Sequence, residues 1–63
     1  MATVAPGDRV RAPSGVQFDI EAIEDGVVVC DLAVLEDGTP ARCRNLQRYS
    51  RALVEESPGW EVA

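Results

Sequence analysis

The chain has sixty-three residues with eleven acids, six bases, a net charge of −5, two cysteines and no histidine. A chain this short buries only about 60 % of its unfolded surface, so it cannot hold both a full core and a deep catalytic cleft, and an interaction module fits better than an enzyme. No apolar run approaches the ~20 residues that cross a membrane, and Met1–Pro6 lacks the basic and apolar parts of a secretory leader, so the expected location is cytoplasmic.

Met1–Ala5 reads as a short lead-in and Pro6-Gly7-Asp8 as a turn. Asp8-Arg9-Val10-Arg11-Ala12 alternates polar and apolar, which predicts a short strand that Pro13-Ser14-Gly15 ends. Val16-Gln17-Phe18-Asp19-Ile20-Glu21-Ala22 alternates strictly. Val16, Phe18, Ile20 and Ala22 share one face, with Asp19 and Glu21 on the other. The β-branched run Val27–Leu35 then lies between two copies of Glu-Asp-Gly, which predicts a central strand with a hairpin at each end.

The two turns can be tested for register. A three-residue loop Glu24-Asp25-Gly26, with Gly26 in a G1 bulge, pairs Ile23 with Val27, Ala22 with Val28, Ile20 with Cys30 and Phe18 with Leu32. A two-residue Asp25-Gly26 turn instead sets Ile20 against Asp31, so the longer loop is preferred. A two-residue Asp37-Gly38 turn pairs Leu32 with Cys43, Asp31 with Arg44 and Ala33 with Arg42. Both hairpins then place Cys30, Leu32 and Cys43 inside, with Arg42 and Arg44 outside beside Asp31 and Asp19.

After Asn45 the alternation stops. Residues 46–50 fit one helical or 3₁₀ turn. Residues 52–56 read either as a last short strand or as the tail of a short helix starting near Asn45. Residues 57–63 form a C-terminal tail carrying Trp60. The sum is an all-β domain over 1–63: a small five-stranded SH3-like barrel with a short 3₁₀ turn near 46–50.

Pro6-Gly7-Asp8-Arg9-Val10, Ser14-Gly15, Phe18–Gly26 and Val28-Val29-Cys30 resemble small YodC-like proteins of bacteria and phages, over residues 6–32. Those proteins open on a Gly-Asp strand and a Ser-Gly loop, followed by a hairpin with a Cys in its second strand. The resemblance implies an SH3-like barrel of the KOW or Tudor kind, as an accessory or virion-type component, and brings no catalytic residues with it. Beyond Cys30 the pattern departs. Asp31-Leu32-Ala33-Val34 stands where the family carries aromatics, which puts aromatic surface recognition in doubt.

The chain offers little that points to catalysis. There is no histidine to activate a thiol, and Cys30 and Cys43, both predicted inward, read as small buried hydrophobes. Two cysteines without a histidine do not make a zinc site. Asp19, Glu21 and Asp31 read as a solvated strand face, partly neutralised by Arg44. No cofactor, metal or small-molecule substrate is implied.

The charge distribution says more. Residues 1–41 carry eight acids and two Arg, residues 42–51 four Arg and no acid, and residues 52–63 three acids and no base. Arg42, Arg44, Arg48 and Arg51, with Tyr49 among them, are the candidate partner-binding residues. They have three readings: internal pairing with Asp31, Asp19, Glu55 and Glu56; a protein interface; or a grip on nucleic acid phosphates. Trp60 reads as a lid folded back on the domain or as an anchor for a partner. The expected function is a non-enzymatic interaction module binding a protein or itself through Arg42–Arg51 and Trp60, in a cytoplasm or in a phage particle assembled there. The alternative is a nucleic-acid-binding small barrel.

Overall fold

The computed structural model describes residues 3–63. Five strands and one short helix follow in the order β1 (Arg9–Arg11), β2 (Gln17–Glu24), β3 (Val27–Val34), β4 (Leu46–Ser50), α1 (Arg51–Glu56) and β5 (Glu61–Val62). They form one antiparallel sheet in the order β4-β3-β2-β1-β5. The sheet is open, with β4 at one edge and β5 at the other.

β2 and β3 make the central hairpin, and its turn differs from the three-residue loop predicted. Glu24 pairs with Val27 across a two-residue Asp25-Gly26 turn. Both turn residues have positive φ, 50° and 75°, as a type I′ turn requires. The odd residue is absorbed further down, by a bulge at Glu21: Ala22 pairs with Val29, but Ile20 pairs with Cys30 and Phe18 with Leu32. Thus the pairing from Phe18 to Ile20 is the expected one, while the tip is shifted and a second irregularity at the base sets Gln17 against Val34. Ile23, not Ala22, lies against Val28 and packs on the core. The bulge also marks where the N-terminal segment departs. The Ile20 N–H donates to the Asp8 carbonyl and the Gly7 N–H to the Ile20 carbonyl.

The second predicted hairpin is largely replaced by a loop. The Gly38 N–H donates to the Leu35 carbonyl, Val34 bridges Pro40, and the Ala41 N–H reaches the Ala33 carbonyl. Pairing then lapses until the Leu32 N–H meets the Asn45 carbonyl. Pro40 has no N–H to donate, so a regular strand over 39–44 is broken at its start. Cys43 is consequently exposed, not buried opposite Leu32. Arg42 and Arg44 do not sit on a strand.

Residues 46–50 are β4, not a helical turn, and residues 52–56 are helical, but in a helix that begins at Arg51 and not near Asn45. The burial pattern explains the first difference. Gln47 and Tyr49 face inward, while Leu46, Arg48 and Ser50 face out, so an apolar residue outside and a polar one inside hide the alternation. Ser50 ends the strand and caps the helix, its hydroxyl accepting from the Leu53 N–H at 3.1 Å. Ser57 and Pro58 close the helix after six residues. The chain then turns at Gly59, φ +91°, and the expected tail contributes β5, paired with β1.

Val4, Val10, Phe18, Ile20, Val28, Cys30 and Val54 form the buried core. Val54 is the one buried residue of the helix. Val4, read from sequence as part of a lead-in, is held there by its own N–H, which donates to Glu55 at 3.1 Å.

Candidate interaction surface

The structure separates the six candidate residues into an inner pair and an outer set. Tyr49 is half-buried, and its ring meets Phe18 edge-on at 5.6 Å. Trp60 stacks on Phe18 at 6.3 Å and meets Tyr49 edge-on at 5.4 Å. Spacings of this size are ring-to-ring contact. The three aromatics therefore close against each other and the core, as the folded-back reading of Trp60 expects.

The arginines divide further. Arg51 donates to Glu55 at 2.9 Å, one helical turn away. Glu55 also accepts from Val4, and these two donors hold its carboxyl below the usual range. Arg44 donates to Glu21 at 2.6 Å, across from the loop to the bulge of β2. Its expected partners are otherwise engaged. Asp19 accepts from Nε and Nη2 of Arg9 at 2.7 and 3.1 Å, which lowers its pKa. Asp31 accepts from the Asn45 N–H at 2.9 Å. Asp19 and Asp31 stand directly opposite each other in the sheet, a like-charge pairing that these two donors offset.

Arg11 pairs with Glu61 across β1 and β5. Among the described residues, four arginines thus hold a carboxylate. The remaining two, Arg42 and Arg48, make no ion pair, and both are exposed. Both lie in the ten-residue basic segment.

Beside Arg42 is a feature the sequence did not suggest. The 35–45 loop stands off from Leu32 and leaves a cavity of about 460 Å³ lined by Leu32, Leu35, Pro40, Ala41, Arg42 and Asn45, with Thr39 and the Cys43 thiol at its wall. Its lining is largely apolar. The loop keeps its shape through Asp37, which accepts from the N–H and hydroxyl of Thr39 and is held at a lowered pKa by them. The readable signal was Pro40, whose missing N–H argues against the strand that would have filled this space.

Cys30 is fully buried, and burial pushes its thiol up to about 11. Among the described residues no three His, Cys, Asp or Glu side chains gather where a metal ion would bind, and no helix is long and apolar enough to cross a membrane. Comparison of the chain with protein-family models, with curated proteins and with solved structures found no match.

Proposed function

We propose that this chain is a non-enzymatic interaction module that binds a protein partner through the face formed by the 35–45 loop and β4. One observation carries the reading. In a protein with five more acids than bases, the two arginines that hold no carboxylate among the described residues both lie in the 42–51 segment, and one of them, Arg42, lines an apolar cavity. An unpaired guanidinium at the wall of an apolar depression is the usual making of a protein-binding hot spot. The aromatic rings favour a protein over a nucleic acid here. Tyr49 and Trp60 are half-buried against Phe18 and each other, Trp60 with a face stacked on Phe18, which disfavours them as an open stacking platform.

The finer fold reading belongs to the same proposal. We read the domain as a small SH3-like barrel of the YodC-like kind, serving as an accessory or virion-type component within a bacterial cytoplasm. The element order supports it: a three-strand meander, a short helix, and a first strand paired with both the second and the last.

The test is affinity purification from the native host with wild type and with Arg42→Glu/Arg48→Glu, followed by reconstitution with the purified partner. The proposal expects a protein that binds wild type and is lost at least about tenfold by the variant. Recovery of RNA or DNA instead, with steep salt dependence, establishes the nucleic acid alternative. A monomer by light scattering that retains nothing at low salt overturns both.

A further inference from the structure

We infer that the free edge of β4 takes an extended acidic segment of the partner as an added strand, an inference that rests on the interaction reading above. The hydrogen-bond parity of β4 is set at both of its ends. Leu32 donates to Asn45 at one end, and Arg51 donates to Gly26 at the other. Both bonds belong to the register that pairs Asp31 with Leu46 and Val27 with Ser50. In an antiparallel ladder alternate residues bond to the same neighbour. Gln47 and Tyr49 therefore spend their backbone groups on Cys30 and Val28. The N–H and C=O groups of Leu46 and Arg48, and the N–H of Ser50, point away from β3. Among the described residues no strand pairs there, and all three residues are exposed.

An unpaired edge with exposed side chains is a template for strand addition. The side chains on it say what would fit. Residues directly opposite in adjacent strands bring their Cβ atoms to about 5 Å. An acidic residue opposite Arg48 gains the carboxylate that this arginine lacks within its own chain. An apolar residue, two positions along, lies across from Leu46. Beyond Leu46 the added segment comes to Asn45, which also lines the cavity. The next apolar side chain has that depression to enter, with Arg42 at its wall.

A second copy of the chain suits the edge poorly. The symmetric register that engages Leu46, Arg48 and Ser50 together sets Arg48 against its own copy, and like charges directly opposite are destabilising. The charge acts as a guard against self-pairing and as an attraction for an acidic strand.

The experiment is amide hydrogen exchange, read by NMR on the full chain, with and without a short extended peptide that carries Glu and Val two positions apart on one face, with Thr between them. The same peptide with Lys for Glu is the control. The expected result is slowing of the Leu46 and Arg48 amides by about tenfold or more, with Gln47 and Tyr49 little changed, by the Glu peptide only. Two variants separate edge from charge. Leu46→Pro removes a donor that faces solvent, so the ladder to β3 survives while the edge is blocked. It should abolish the protection with Arg42 and Arg48 intact. Arg48→Glu should transfer the protection to the Lys peptide.

Binding that persists in Leu46→Pro overturns strand addition and leaves a charge-mediated interface standing. Protection that rises with protein concentration alone assigns the edge to a second copy and overturns the acidic occupant. Failure of the Glu peptide at millimolar concentration, or equal binding of both peptides, overturns the inference as well.

Discussion

At the scale of single residues the two cysteines make the clearest contrast. They look alike in sequence, each a lone thiol in a predicted strand with an inward position. Cys30 is sealed in the core between Ile20 and Gln47, while Cys43 sits on a loop wall. The thiolate is the reactive form, and burial keeps Cys30 protonated to about 11. A thiol reagent at pH 8 should therefore modify one cysteine quickly in the native protein. Cys43→Ser should remove that fast phase entirely. Cys30 should react only through opening of the fold, slower by roughly 10³-fold for a domain stable by several kcal/mol. Equal rates for the two thiols would show that the core does not close over Cys30.

At the scale of elements, the C-terminal turn shows how one backbone conformation secures a larger contact. Gly59 has φ +91°, and a Cβ there would lie 2.9 Å from the Pro13 ring. The sharp reversal lets Trp60 lie against Phe18 and Tyr49 and brings Glu61 and Val62 to β1. Trp60→Ala should cost about 2–3 kcal/mol through lost stacking and burial. Gly59→Ala should cost about 1–2 kcal/mol through left-handed strain and the clash with Pro13. Both changes release the same element, so the double variant should fall short of the sum when measured by urea denaturation. How far such elements were legible depended on side-chain order. The central hairpin was readable because Phe18, Ile20, Cys30 and Leu32 keep their faces whichever way the turn is built. Its tip was not, because a loop residue at Glu24 and a bulge at Glu21 satisfy those four positions equally. β4 was missed because Leu46 faces out and Gln47 in, and that inversion makes sense only once β3 is known to lie beside it. Of the candidate site, the arginines were visible. The cavity and the free edge were not, since both arise from where pairing stops.

At the scale of the whole molecule, charge sets the response to pH. Asp19, Asp37 and Glu55 all have native pKa values below their ordinary ones, the first through Arg9, the second through Thr39 and the third through Val4 and Arg51. A carboxyl with a depressed native pKa binds fewer protons in the folded state than in the unfolded state. Its contribution is full at neutral pH and drains away as pH falls through the ordinary carboxylate range and below it. Urea midpoints should accordingly stay level near neutrality and fall in acid, and Asp19→Asn should flatten that fall. Exposed pairs contribute little singly, so the effect of any one substitution is small. A midpoint that rises monotonically into acid would contradict these assignments. Glu55 links distant parts of the chain here, since its protonation loosens Val4 from the helix and with it the N-terminal segment.

The bulge at Glu21 makes that residue surplus to the hairpin. Take it out, and Ile20, Ala22 and Ile23 follow one another opposite Cys30, Val29 and Val28 with no irregularity. Shortening a strand by one residue ordinarily turns half of it inside out. Here the shortened chain should keep every inward side chain where it is, within about 1 kcal/mol of the parent stability. What it should lose is the tether on Arg44, and with it the hold of β2 on the loop that walls the cavity. A folded deletion variant with faster exchange confined to residues 41–45 would mark Glu21 as an insertion whose use lies in its side chain.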